Sequence, residues 1–377
     1  MLASVLLAAL PAATASQLQL PPLLGRHPVG TISLEFTDHS RTAPSTASNV
    51  TANSTEPRRL MVSVFYPTTN ISIHSGNHSR APYFSTATSA AAFDTYIGNA
   101  TGLLTNLLTW AYEGTPIVPS NTSVLLFSHG LGSSRLLHTA FLEDLASRGW
   151  VVVAPDHPYD ALYTEYPDGS FARMPNSALD DFPNELPGLV DIRVKDVQFI
   201  ANLLKNGTLL PRLSSPPTIG ILGHSLGGNT AAQAVANNTS TFPCGANFDG
   251  GIFGPVATTG LDQPFLQIGA ANHNQTTDAT FSNFWDVLKG FRREFTVNGT
   301  VHQSFMDLPV LRDTLGDDYP AELHNQSGTE PGSRLLEIET SLIDAFFRFC
   351  LTKTKPSDNL DQVAKNLSPD ISAREMW

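Results

Sequence analysis

The sequence predicts an α/β fold: a mostly parallel central sheet with helices on both faces. Three observations carry this expectation. Short apolar runs recur at Ser123–Ser128 (SVLLFS), Trp150–Ala154 (WVVVA), Pro217–Leu222 (PTIGIL), Gly245–Phe248, Pro264–Gly269 (PFLQIG) and Arg293–Val297. Between them lie stretches with apolar residues at helical spacing, chiefly Ser134–Arg148 and Leu189–Leu204. Strands alternating with helices are the signature of a parallel sheet, because each crossover must carry the chain back across a face of the sheet. Finally, the 377-residue chain is 41% hydrophobic and only 15% charged, enough to cover such a sheet on both sides.

The front of the chain adds an antiparallel start. Thr31–Phe36 alternates apolar and polar residues, as an edge strand does, and Leu60–Tyr66 is a second strand stopped by Pro67. Polar loops fill residues 37–59 and 70–80. In Ser85–Gly114, Leu103, Leu104, Leu107, Leu108 and Ala111 recur at helical spacing beside Trp110 and Tyr112, which predicts a helix, either packed on the core or capping a site. Tyr159–Pro187 has no periodicity and reads as a loop insertion. Phe281–Leu288 and Arg334–Leu351 are helical, and the polar tail Thr352–Trp377 reads as peripheral. No linker interrupts the pattern. Residues 16–377 are expected to form a single domain, with loop or cap insertions near 85–114 and 159–187.

Residues 1–15 read as a signal peptide. The apolar stretch Leu2–Ala13 is too short to span a bilayer, and Ala13-Thr14-Ala15 supplies small residues for cleavage before Ser16. Sequons begin at Asn49, Asn53, Asn70, Asn77, Asn99, Asn121, Asn206, Asn237, Asn238, Asn274, Asn298, Asn325 and Asn366, a density that implies an N-glycosylated, secreted protein. In an oxidising compartment Cys244 and Cys350 either pair or remain two buried thiols. The net charge of −12 with no basic cluster argues against nucleic acid as a partner and against purely electrostatic docking on anionic membranes. No Cys/His cluster has zinc spacing; His74 and His78 lie four apart in a Ser/Asn-rich loop. No metal or organic cofactor is expected.

The chemistry centres on GHSLGG, Gly223–Gly228, between an apolar strand and the Ala-rich stretch Asn229–Asn237. A serine on such a strand-to-helix turn is exposed on a strained backbone, with helix N–H groups behind it to receive an oxyanion. Ser225 needs a base to take its proton and an acid to orient that base. In the α/β-hydrolase order both follow the serine. Asp249 ends the next strand in GANFDGG; the rival position is one strand later, where the first acidic residue is Asp278. His302 follows the last strand, whereas His273 comes one strand too early and suits a loop. His224 belongs to the elbow turn and His129 precedes the loop SHGLGSS. That loop places the backbone N–H of Leu131 opposite that of Leu226, the two donors of an oxyanion hole.

These blocks resemble the platelet-activating factor acetylhydrolase family, of the secreted, lipoprotein-associated phospholipase type. They are SHGLGSSR (Ser128–Arg135), DLASRGWVVVAPDH (Asp144–His157), GHSLGG, NFDGG (Asn247–Gly251), QPFLQI (Gln263–Ile268) and HQSFMDLP (His302–Pro309), in the family's order. The resemblance implies an acid at Asp249 and a His-x-x-Phe motif with a nearby Asp at His302, Phe305 and Asp307. It further implies a calcium-independent serine esterase that removes short or oxidised sn-2 acyl groups from phospholipids, with transient contact to a lipid surface. A broad carboxylesterase or polyester hydrolase is the alternative within enzymes. A catalytically silent binding protein on the same fold is the alternative outside them.

Overall fold

The computed structural model describes residues 18–43, 56–69, 78–96, 102–117, 123–175, 184–211 and 216–374. The leader segment and the sequons at Asn49, Asn53, Asn70, Asn77, Asn99 and Asn121 lie outside these residues. The strands are β1 (Val29–Thr42), β2 (Pro57–Pro67), β3 (Arg80–Pro82), β4 (Leu108–Glu113), β5 (Val124–Ser128), β6 (Val151–Pro155), β7 (Tyr163–Glu165), β8 (Phe171–Arg173), β9 (Ile219–His224), β10 (Gly245–Phe248), β11 (Phe265–Ala270), β12 (Arg292–Val297) and β13 (Ile371–Ala373). Eleven of them form one sheet in the order β13-β12-β11-β10-β9-β5-β6-β2-β1-β4-β3; β7 and β8 make a separate hairpin. Along the sheet from β6 to β12, through β5, β9, β10 and β11, every pairing is parallel.

Strands β5, β6, β9, β10 and β11 are buried along their whole length, as parallel strands covered on both faces must be. The pleat sends their side chains to opposite faces. Leu125, Phe127, Val152 and Ala154 join the helices Thr139–Ser147 and Gly332–Phe347 in one core. Val124, Leu126, Val151 and Val153 join Leu186–Lys205 and Leu226–Asn237 in the other. The carboxyl ends of β5, β9, β10 and β12 therefore open together at one rim of the sheet, where ligands of α/β folds bind.

Four expectations need correction. The helix expected around Leu103–Ala111 is one 3₁₀ turn, Leu103–Asn106, followed by strand β4. Thr109 and Ala111 are buried while Leu108, Trp110 and Tyr112 are partly exposed, so the period is two; Arg80 lies over the Trp110 and Tyr112 rings at 4.5 and 4.0 Å. The only α-helix described in this stretch is Ala87–Tyr96. Strand β1 is not at the edge, since β4 pairs with it, although only through Gly30 and Thr31. The tail is not peripheral: a helix at Asp358–Leu367 and strand β13, antiparallel to β12, place Leu360, Ala364, Leu367 and Ile371 in the core. The stretch Tyr159–Pro187, read as a loop, carries the β7–β8 hairpin. Cys244, just before β10, is disulfide-bonded to Cys350 beyond the Gly332–Phe347 helix, which decides the question the spacing left open. Among the described residues, no helix is long and apolar enough to cross a membrane.

Candidate active site

Ser225 sits between β9 and the helix Leu226–Asn237 with φ 56° and ψ −124°, a backbone strain that a side chain other than glycine tolerates only where the surroundings impose it. Here they do. The Ser225 N–H donates to the Phe248 carbonyl at 2.8 Å, tying the elbow to β10. At Gly227 a Cβ would run into the Ser128 carbonyl, so only glycine lets β5 approach this closely.

The candidate acid lies at the end of the adjacent strand. Asp249 also has a positive φ, 53°, and is fully buried. Asn247 shapes its turn: the side-chain carbonyl accepts from the Gly250 N–H at 2.9 Å and the amide donates to the Gly250 carbonyl at 2.7 Å. One Asp249 oxygen, Oδ2, accepts from His302 Nδ1 at 2.6 Å; the other, Oδ1, accepts from the Ala270 N–H at 2.6 Å. A carboxylate only accepts, so the His302 proton sits on Nδ1 and Nε2 keeps its lone pair. That Nε2 accepts from Ser225 Oγ at 2.9 Å. His302, Asp249 and Ser225, the candidate base, acid and nucleophile, are thus in one chain of hydrogen bonds, with the tautomer that a base for the serine proton requires.

His302 opens a 3₁₀ turn, His302–Phe305, after β12. Two neighbours fix that turn. His224 donates from Nε2 to the His302 carbonyl at 2.9 Å. Burial, reinforced by the nearby His302 and His138, holds the His224 imidazole well below its ordinary pKa, so it is neutral. Phe305 packs against Phe248, ring centroids 5.5 Å apart. Asp307 lies away from the reacting atoms. It accepts from Tyr83 Oη at 2.7 Å and from the Ala140 N–H at 3.0 Å, capping the helix Thr139–Ser147; burial pushes its carboxyl up to about 6.

Across the nucleophile lies the loop after β5. A Cβ on Gly130 would stand 3.2 Å from Ser225 Cβ, so the backbone at Gly130–Leu131 faces the serine. Leu226 opens its helix, where first-turn N–H groups have no intrahelical acceptor. The loop is held from both sides. Arg193 donates to the His129 carbonyl, and the Gly132 N–H donates to the Asp160 carbonyl at 3.0 Å. Arg193 and Asp160 are themselves paired, and both are buried. Beneath them Arg58 grips Asp196 through two bonds of 2.7 and 2.6 Å, and His157 bridges Asp196 and Ser128 Oγ at 2.9 Å each. Burial opposes the Asp196 charge, but Arg58 outweighs it and holds the carboxyl below the usual range.

The rival acid, Asp278, does not reach His302. It caps the helix Ala279–Val287 through the Thr280 N–H at 2.7 Å and bonds His273 Nε2 at 2.5 Å. His273, read from sequence as a loop residue outside the site, reaches Asp249 Oδ1 with Nδ1 at 3.1 Å. Asp249, His273 and His302 offer ligand atoms within 4.8 Å of one another, spacing that a metal ion could use. Both imidazole Nδ1 atoms, however, face a carboxylate as donors, which fits a proton-bearing relay better than a cation seat.

Comparison with known proteins adds the lineage. The family described as platelet-activating factor acetylhydrolase, isoform II, matches residues 12–172 and 187–367. The chain belongs to this family. As a member it is an esterase with the α/β-hydrolase fold. A probable 1-alkyl-2-acetylglycerophosphocholine esterase of Arthroderma benhamiae is 29% identical over 370 residues, covering 89% of each chain. The platelet-activating factor acetylhydrolase of Bos taurus is 28% identical over 224 residues, 49% of this chain and 48% of that one. Among solved structures, a ferulic acid esterase from Streptomyces cinnamoneus superposes with a TM-score of 0.81 at 28% identity, covering 96% of this chain and 100% of that one.

Proposed function

We propose that this family member hydrolyses short sn-2 acyl esters of phospholipids through an acyl-enzyme on Ser225. The observation that carries the reading is the continuous relay from Asp249 through His302 to Ser225, at 2.6 and 2.9 Å. His302 Nε2 takes the Ser225 proton as Oγ attacks the ester carbonyl. The N–H groups of Leu131 and Leu226 receive the oxyanion, each such donor contributing roughly 3 to 4 kcal/mol to the transition state. The imidazolium, stabilised by Asp249, returns its proton to the leaving alkoxide. Water then attacks the acyl-enzyme with His302 again as base.

The phospholipid substrate is supported by the name of the Arthroderma benhamiae relative, which aligns across most of the chain. A simple acyl or aryl-acyl ester is the second reading, favoured by the full-length superposition on the ferulic acid esterase. The test is a substrate panel: 2-acetyl phospholipid, long-chain phospholipid, simple acyl esters, a feruloyl ester and a polyester, with Ser225→Ala as control. Turnover of the 2-acetyl phospholipid above the rest is expected. Turnover of the other esters with none of either phospholipid would overturn the substrate. Wild-type turnover by Ser225→Ala would overturn the mechanism.

Secretion and N-glycosylation belong to the same proposal. Asn206, Asn237, Asn298, Asn325 and Asn366 are exposed, and the Cys244–Cys350 disulfide suits an oxidising compartment. A mass decrease on enzymatic deglycosylation of the protein from its native host is the expected result.

A further inference from the structure

We propose that His273 is a positioning residue for the acid of the relay, an imidazolium that bridges Asp249 and Asp278 and sets the charge His302 feels. The proposal rests on the triad reading above and concerns a residue that touches neither the serine nor the ester.

The geometry has four parts. His273 follows β11, and its ring lies between two carboxylates on different elements. Nδ1 stands 3.1 Å from Asp249 Oδ1, at the end of β10, and Nε2 stands 2.5 Å from Asp278 Oδ2, at the start of the helix Ala279–Val287. Carboxylates at both ring nitrogens require a proton on each, so the ring carries a full charge. The Phe281 ring packs edge-on against it, centroids 5.0 Å apart, and the His302 ring is 6.1 Å away. Among the described residues, these are the titratable and aromatic groups that face His273 from the neighbouring elements. Asp249 is wholly buried, and a lone carboxylate there bears the full cost of desolvation. His273 supplies the compensating cation on Oδ1 and leaves Oδ2 for His302. Asp278 in turn keeps His273 charged. The Asp249 hydrogen bond, with the charges of both carboxylates and against burial, pushes its pKa up to about 9. Five side chains, Asp278–His273–Asp249–His302–Ser225, thus run in one line of donors and acceptors.

The electrostatics gives signed expectations. Removing the His273 cation makes the surroundings of His302 more negative, which favours protonated His302. The acid limb of kcat/KM should therefore move up by about half to one pH unit in His273→Gln. Removing the Asp278 anion instead weakens the hold on the His273 proton. In Asp278→Asn an alkaline limb near pH 9 should move to lower pH, while the acid limb stays or moves down.

The experiment is the kcat and kcat/KM pH profile of wild type, His273→Gln and Asp278→Asn on a water-soluble short-chain ester. With it go histidine ¹⁵N spectra of the full chain, titrated in the Ser225→Ala background. The expected result is a fall in kcat of about tenfold at pH 8 in His273→Gln with KM unmoved, and limbs displaced in opposite directions in the two variants. One imidazole should keep both nitrogens protonated to about pH 9, and its signal should vanish with His273→Gln. A merely structural histidine would lower activity with both limbs in place; that outcome, or a His273 ring that loses a proton near its ordinary pKa, overturns the proposal. The spectra report on His273 even if Ser225→Ala proves active, so failure of the triad reading and failure of this one remain distinct.

Discussion

The two walls of the site are built on opposite principles. The oxyanion wall rests on ion pairs removed from water: Arg58, Arg193, Asp160 and Asp196, with the His157 ring beside them, are all at most 2% exposed. The acid–base wall is open around its buried acid: Asp249 is fully buried, but the side chains of His302, His273 and Asp278 are exposed to 40%, 26% and 25%. The difference follows from the task of each. Backbone donors to an oxyanion work by standing still, and a lattice of buried ion pairs holds a loop still because breaking any pair strands a charge in low dielectric. A base must gain and lose a proton and admit the water that ends the cycle. Its charge is set by the buried Asp249, whose own charge is balanced by His273, a neighbour that remains in contact with solvent.

The strongest way to break this comparison is at the acid. Asp249→Asn should lower kcat by about four orders of magnitude, because an amide presents the wrong donor pattern to His302 Nδ1. Asp278→Asn, two residues further along the same line, should cost about tenfold or less. Equal losses in a steady-state assay would show that the acidic function is shared. At the other wall, Arg193→Met strands Asp160 and removes the donor to the His129 carbonyl. A loss of about 3 to 5 kcal/mol in urea unfolding is expected. The double variant Arg193→Met with Asp160→Leu should recover much of that stability, since no buried charge is left unpaired. It should remain slow by about a hundredfold, because the loop carrying Leu131 has lost its tether. Recovery of both stability and rate would show that the lattice contributes only to folding.

How legible each wall was depends on where its partners lie in the chain. The buried runs of β5, β6 and β9 and the elbow after them are local patterns, and so is the residue that follows the last parallel strand, His302. Asp249 was legible as the residue ending a strand before glycines. The distal parts of both walls were not. Nothing in the neighbourhood of Arg58 or Arg193 marks a buried arginine; each is buried only because a carboxylate more than thirty positions away meets it. His273 enters the site because β11 lies beside β10, a fact of sheet order. The one local hint was Asp278 five residues on, capping an apolar helix that begins near the strand's end. The leucines before β4 mislead for a different reason. Their spacing fits a helix, but pairing with β1 and β3 and the Arg80 stack on Trp110 and Tyr112 impose the extended form.

The smallest expected effect separates the walls by pH. His273 has a folded-state pKa raised from 6.5 to about 9 by Asp249 and Asp278. Folding therefore takes up a proton in this window, and the stability it contributes is fully present below pH 6.5 and lost as pH rises through about 9. Solvent contact reduces the effect, since the side chain is 26% exposed. The thermal midpoint of wild type should fall by a few degrees between pH 6.5 and 9.5, and that fall should be smaller in His273→Gln. The oxyanion wall gives no such slope. Against burial, the Asp196 carboxylate raises the Arg58 pKa, and burial with the nearby Arg193 keeps the His157 pKa below its ordinary value. Midpoints of Arg193→Met and wild type should therefore run parallel over the same range in scanning calorimetry. Converging curves would mean that the buried lattice titrates, and that the two walls do not divide the work as their exposure suggests.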